Sequence, residues 1–505
     1  QGDVLEISFL GKDTKMVTIG AGNVVNVVLA SKANVIDVVT IEGAVGVKRK
    51  KAAVTSSYST VTADEIKAAS NPDPVRAIIG KVSGVTINAT TNGVNGDNSI
   101  RVRSMLSFSG STEALVVIDG VISTASIFSS LSPEAITNVT ILKGAQGAAL
   151  YGSQGKSGVV LVTTKKGSSS EKMEVRLSSS VDFENINFVP LRQTKYGQGW
   201  YGTRYSDENG GWGEVFDGAP HQSGFALPDG STIVRPYSSL GDDSIKDFYQ
   251  TGVTYQNNLS VGMSGKNSYF NLNLGNYKRD FILDGDNLNR NTVLISAGKT
   301  IGKLSLGGSI NYINQRVKQA NVNAATSRGD YTLLTNLLQT ATNVPIELFK
   351  DRGLYGWNSY YQNPYWAKDN NRLAEDRNFV GINLNSKYEF NKNVNFTLNN
   401  SVQIDSRNQT SYANQATTID DGVQTFGSFS SPASYYQSNF SSLNYYGDFM
   451  LNFDYDLTSK VGLKANLGQN FQYTSTSRLS QGGLNFDIPG WYNIQNVLNP
   501  DLPST

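Results

Sequence analysis

The chain has 505 residues, a formal net charge of +1, 17% charged residues, no cysteine and one histidine, His221. A charge so near zero excludes electrostatic recognition of nucleic acid; the missing thiols exclude a disulfide framework and thiolate metal sites; one histidine cannot build the usual zinc ligand sets. No apolar run approaches the about 18 residues of a membrane-spanning helix, and the charged fraction lies below the roughly 25% typical of soluble domains.

Residues 1–34 read as strands. GDVLEISFLG, KMVTI and NVVNVVLA alternate between turn residues and are too few for an independent sandwich, so they form the C-terminal end of a small β domain. The chain starts at Gln1 in mid-pattern, with no initiating Met and no basic-plus-apolar leader, as a mature or trimmed chain would. Residues 35–51 carry an extended β-branched segment, VIDVVTIE, and then a basic run, Lys48-Arg49-Lys50-Lys51, that reads as a solvated linker.

Residues 52–167 read as a compact α+β region. Thr62-Ala63-Asp64-Glu65 is a capping box: Thr62 accepts from the third helical amide while Glu65 reaches back. Asp73-Pro74 opens a second helix with Asp as N-cap and Pro at its first position. Val75, Ile78, Ile79 and Val82 then share one buried stripe, which Gly84 closes. The strands SIRVRSM and ALVVIDG follow, with Asp119 before Gly120 as a turn residue. Ser132-Pro133-Glu134 caps a short helix before the strand VTILKG.

The run AQGAALYGSQGKSGVVLVTTKKG (145–167) has the look of a phosphate-binding loop, but its spacing is wrong. A P-loop needs a glycine five residues before Gly155-Lys156-Ser157 begins, and that position is Leu150. Its strand should also precede the loop, whereas Val159-Val160-Leu161-Val162 follows it. Nucleotide use is excluded. Neither Asp119 nor Asp64-Glu65 meets a base with which to form a catalytic constellation.

Beyond Gly167 the strands lengthen and alternation becomes strict. Phe270, Leu272 and Leu274 alternate with Asn271, Asn273 and Gly275; Val380, Ile382 and Leu384 alternate with Gly381, Asn383 and Asn385; Val461, Leu463, Ala465 and Leu467 repeat the scheme. A soluble sandwich would carry Lys, Glu and Thr on its polar face and shorter strands. Here the polar face is Asn, Ser and Gly, and aromatic residues sit towards the strand ends, as in a membrane barrel with a polar lumen. Short turns such as KTIGKL (299–304) and FNKNV (390–394) alternate with long insertions near 186–250, 316–378 and 406–440. Such asymmetry fits short periplasmic turns and long outer loops. About nine strands are expected over 168–505; because an open edge in lipid is costly, further chain or another subunit is expected to complete the barrel. His221, in DGAPH, is expected in an exposed loop.

These stretches together resemble the SusC/RagA-type TonB-dependent outer-membrane transporters. AIIGKVSGVTI, SIRVRSM, ALVVIDGV and LSPEAITNVTILKGAQGAALYGSQGKSGVVLVTTKKG resemble the family's plug, and YGQGWYG (196–202), GGWGEVFDG (210–218), NPYW (363–366) and RNFVG (377–381) its first barrel strands and loops. The resemblance implies a large transmembrane antiparallel β-barrel, only part of it in this chain, with an α+β plug domain in the lumen. It implies no enzyme, cofactor or metal. On this reading residues 1–34 end the family's extra N-terminal β domain, 35–51 hold the TonB-box-like segment and a linker, 52–167 are the plug, and 168–505 begin the barrel.

The implied activity is import of a large nutrient, an oligosaccharide or a peptide, across the outer membrane of a Gram-negative, Bacteroidetes-like cell. TonB, energised by its inner-membrane complex, would grip Ile36, Asp37, Val38, Val39, Thr40, Ile41 and Glu42 by β-augmentation. A SusD-like lipoprotein would lid the barrel, and outer-membrane lipids would surround it. Trp357, Tyr360, Tyr361 and Trp366, with Tyr365, either contact the substrate or lid, or pack the loops and an interfacial girdle. Five positions depart from the family pattern: Glu42 stands for an apolar residue, Ala44-Val45 for Tyr-Gly, Gly144 for an acid and Ser104 for a glycine. The altered TonB-box-like segment leaves an alternative, a structural subunit of a larger outer-membrane assembly or secretion complex. A secreted β-rich adhesin is a further one.

Overall fold

The structure is a computed structural model that describes residues 58–68, 73–89, 98–103, 112–144, 151–166, 172–224, 229–321, 333–354, 357–417, 430–458 and 461–503. It also describes short stretches at 4–7, 15–18, 41–42, 48–49 and 147–148 and the single positions 27, 71, 94 and 226. Of the N-terminal strands expected from sequence, Val4–Ile7 pairs antiparallel with Lys15–Thr18; all of NVVNVVLA except Val27 lies outside the described residues.

A five-stranded sheet organises the first globular unit, in the order Tyr58–Thr62, Ile136–Leu142, Val159–Thr164, Leu115–Ile118, Val121–Ser123. The apolar runs 159–162 and 139–142 in its central strands are buried on both faces. The hairpin Val85–Ala89 with Asn98–Val102 and the short helices Ala63–Ala68, Pro74–Ala77 and Ala125–Ser130 complete it. The capping box forms as read: Thr62 N–H and Oγ–H donate to Glu65 Oε2 at 2.8 and 2.9 Å, and Glu65 N–H donates to Thr62 Oγ1. Asp73 caps the second helix by accepting from the Val75 and Arg76 amides.

Two local readings fail here. The second helix stops at Ala77, and Gly80, at φ +75°, turns the chain, so Gly84 does not close it and Ile79 leaves the stripe, 54% exposed, while Val75, Ile78 and Val82 are buried. Ser132 makes no cap bond, because only one 3₁₀ turn, Pro133–Ala135, follows it; its hydroxyl instead donates to Asn258 of the surrounding wall at 2.7 Å.

That wall is a ten-stranded sheet in which every strand pairs antiparallel with its neighbour along the chain. Nine strands are long, from Glu174–Glu184 to Val461–Phe486, and Val497–Pro500 is short. Its two faces are inverted relative to a soluble protein. Asn258, Asn271, Asn273, Ser296, Gln315 and Ser401 are buried towards the inner unit, while Leu306, Ile310, Leu384 and Leu467 are exposed on the outside. This is a barrel wall with a polar lumen around a plug. Several strands run further than expected: Leu304–Ala320, Asn371–Asn391, Val394–Ala413 and Ser434–Thr458. The loops between them shrink to 321–370 and 414–433, because the ladders stay in register past the alternating stretch.

Candidate functional site

The plug is seated on one side of the lumen through its helix Ala125–Ser130. Arg377 and Asp405, on adjacent wall strands, face inward and form a bidentate pair at 2.9 and 3.0 Å. The third guanidinium nitrogen of Arg377 donates to Ser126 Oγ at 2.7 Å, and Arg407 donates to the same Asp405 carboxylate. Arg290 donates to the Ser129 carbonyl at 3.1 Å and to Gln315. Further round the wall, Ser296 Oγ donates to the Lys165 carbonyl and Gln319 Oε1 accepts from the Val94 amide. Ile313 and Phe379 break the polar rule, entering the plug's apolar core at 1% and 2% exposure, and Leu288 and Val317 pack on Val94 of the inner unit. Each of these hydrogen bonds can be exchanged for one to water at little net cost.

Of the segment expected to bind TonB, Ile36 to Thr40 lie outside the described residues. Ile41 and Glu42 form a two-residue strand paired with Arg49 and Lys48. The basic run is therefore more than a solvated linker: its first half holds the end of the β-branched segment.

The long loops 185–251 and 321–370 pack on one another around an apolar cluster that includes Phe248, Leu337, Ile346 and Phe349. Trp357 and Tyr361 belong to it, 2% and 3% exposed, with Trp357 set edge-on to Phe349. Tyr365 is buried beside Phe248, and burial pushes its hydroxyl up to about 12. Tyr360 is half-buried and donates to Glu208; Trp366 is half-buried in the helix Pro364–Asn370. The structure thus gathers these aromatics as packing residues in one loop module. The exposed aromatic surface of these loops includes Trp200, Tyr201 and Trp212 inside the YGQGWYG and GGWGEVFDG motifs and Tyr205 between them. The signal for them was the flanking glycines: Gly197 and Gly199 lie too close to Tyr237 and to Thr203 to carry a Cβ.

His221 is not a free loop residue. It sits in the hairpin Pro220–Ser223 with Ile233–Pro236, bonded on one side to Asp217 and on the other to Arg204, and edge-on to Tyr237. Among the described residues no three His, Asp or Glu side chains form a metal-sized group.

A buried charge cluster ties the turn before wall strand Asn287–Ile301 to the loop helix. Asp286 accepts from Arg372 at 3.1 Å and from the Ala320 amide, and Lys368 bonds Asp284 and Asp369. Burial pushes the Asp286 carboxyl up to about 6, against the pull of Arg372. The folded pKa thus exceeds the unfolded value near ~3.9. The penalty for the charged form is present above about 6 and is relieved as pH falls toward the unfolded value. Amide exchange across 281–287, corrected for intrinsic rates, is expected to be slower at pH 5 than at pH 7, and Asp286→Asn to flatten that difference. The opposite slope would refute the assignment.

The TonB-dependent receptor plug domain family model matches residues 50–159. A TonB-dependent receptor of Formosa agariphila is 30% identical over 307 residues, 61% of this chain and 28% of that protein. The TonB-dependent receptor SusC of Bacteroides thetaiotaomicron is 26% identical over 334 residues, 64% of this chain and 31% of that protein. The chain thus spans under a third of the length of these relatives. In fold it is similar to the RagAB peptide importer in its closed-closed state, with TM-score 0.68 and 16% identity over 89% of this chain and 52% of that one.

Proposed function

From the premise that the chain belongs to the SusC/RagA type of TonB-dependent transporters, we propose that it works in the outer membrane as an active importer of a large nutrient, an oligosaccharide or a peptide. TonB would take hold of residues 36–42 and draw on the plug, and a SusD-like lipoprotein would cover the loop face. The supporting observation is the seat: a plug anchored by Arg377, Asp405, Arg290 and Ser132 across a polar lumen can exchange those hydrogen bonds for water as it is released. Because Ile41 and Glu42 already pair with Lys48 and Arg49, TonB would either add to Val38–Thr40 or displace the basic strand.

Deletion of residues 36–42 tests this. Uptake by cells that depend on the protein is expected to fall to background while the barrel still inserts and resists protease. Full function after the deletion would instead make the protein a scaffold subunit of an outer-membrane assembly.

A further inference from the structure

We propose that Glu134 is a charge clasp, holding the first strand and helix of the plug, residues 58–68, to the part of the plug that the wall fixes. The inference goes beyond the import reading: it concerns what keeps this segment in place, whatever draws on it.

The plug divides at this carboxylate. On one side, Tyr58–Thr62 is an edge strand whose one ladder is with Ile136–Leu142, and the helix Ala63–Ala68 follows it directly. On the other side, Lys165 is fixed twice. Its N–H donates to the Ala135 carbonyl at 2.9 Å, and its own carbonyl accepts from Ser296 of the wall at 2.8 Å. Glu134, next to Ala135 in the turn Pro133–Ala135, belongs to this fixed side.

Glu134 Oε2 lies 3.4 Å from Lys67 Nζ, near the end of the helix, and 3.8 Å from Lys165 Nζ. The three side chains are only 14–21% exposed. The oxygen itself is buried and meets no donor in bonding geometry among the described residues. Charge therefore holds the cluster, rather than a directed hydrogen bond, and partial desolvation strengthens the attraction. The same carboxylate stands between two ammonium groups that repel one another. Burial, and next the charge of Lys67, push the Lys165 ammonium below its ordinary value. The further charges felt at Lys165, those of Arg176 and Glu174, pair with each other at 3.0 Å.

Such a clasp fails open. Without the negative charge, Lys67 and Lys165 face one another across a half-dry gap, and the helix end is pushed off the fixed strand end. What still holds the segment is the buried Ile66 and the ladder of Tyr58–Thr62 on its partner. Neutralising Lys67 together with Glu134 removes the repulsion along with the attraction. The sign of the charge thus separates this device from simple packing.

The test is amide hydrogen exchange of the full-length protein in detergent, read by mass spectrometry over residues 58–68. The wall-seated helix Ala125–Ser130 serves as internal reference. Glu134→Gln keeps the shape and removes the charge. It is expected to speed exchange over 58–68 by about tenfold and to leave the reference helix unchanged. Adding Lys67→Gln is expected to bring the rate back to within about threefold of the parent, a coupling that two independent packing losses would not show. Unchanged exchange over 58–68 in Glu134→Gln, equal acceleration in both windows, or no recovery in the double variant overturns the proposal. None of these readings involves uptake or TonB, so failure of the clasp and failure of the import reading are separately visible.

Discussion

Asp405→Ala is expected to lower the stability of the folded protein by about 3–5 kcal/mol, the cost of breaking a buried ion pair from one side. Asp405 neutralises two guanidinium groups, Arg377 and Arg407, and the side chain of Arg377 is only 3% exposed. Removing the carboxylate leaves one cation desolvated against another, while Ser126 supplies only a neutral oxygen. Urea or thermal unfolding of the purified protein in detergent checks this, together with protease access to the plug. The double variant Arg377→Met/Asp405→Leu is expected to recover much of the loss, because a buried pair replaced by apolar residues of similar volume is often neutral. If the single variant is as stable as the parent, the pair does not hold the plug.

The second large effect is expected at a glycine. Gly158 has φ +99°, and a Cβ there would lie 2.8 Å from Val102 Cβ and 3.2 Å from the Leu142 carbonyl oxygen. Gly158→Val adds backbone strain to a clash with two packed strands, and should cost on the order of 4 kcal/mol or more, in the range reached only by severe lesions. Gly152 is the comparator: its φ is +61°, but an added Cβ meets nothing within 4 Å, so Gly152→Ala should cost only about 1 kcal/mol. With Gly158→Val the wall should still assemble while the plug fails to fold. Cells would then admit a bulky antibiotic such as vancomycin, and trypsin would remove the plug. A protected plug with unchanged antibiotic resistance would contradict the packing account.

That loop also shows what a sequence exposes and what it hides. The spacing of the glycines of 145–167 and the strand that follows them excluded a phosphate site, and the structure gives their use: Gly147 and Gly155 approach so closely that a Cβ on either would overlap the other's carbonyl. The capping box at Thr62 and the cap at Asp73 were legible because both partners lie within one turn. The inverted faces of the wall were legible because a two-residue period needs no knowledge of the partner strand. Ile79 and Ser132 were misread because their fate is set at a distance, by a left-handed glycine in one case and by a wall strand in the other. Ile313 and Phe379 look like irregularities in a polar lumen face until the plug core is seen against them. In the loops, the aromatics of 357–366 and those of 196–212 have similar composition. Only the folded packing separates the buried set from the exposed one.

The length of the wall strands sets a clearance. Val461–Phe486 has 26 residues, which at about 3.3 Å each and a tilt near 45° climb about 60 Å, against a hydrocarbon belt about 25 Å tall. Much of the surplus stands as a stiff parapet on the side of the long loops. On the proposed import, cargo received at that rim would be met well clear of the headgroups, and bulk at the cell surface would not hinder its arrival.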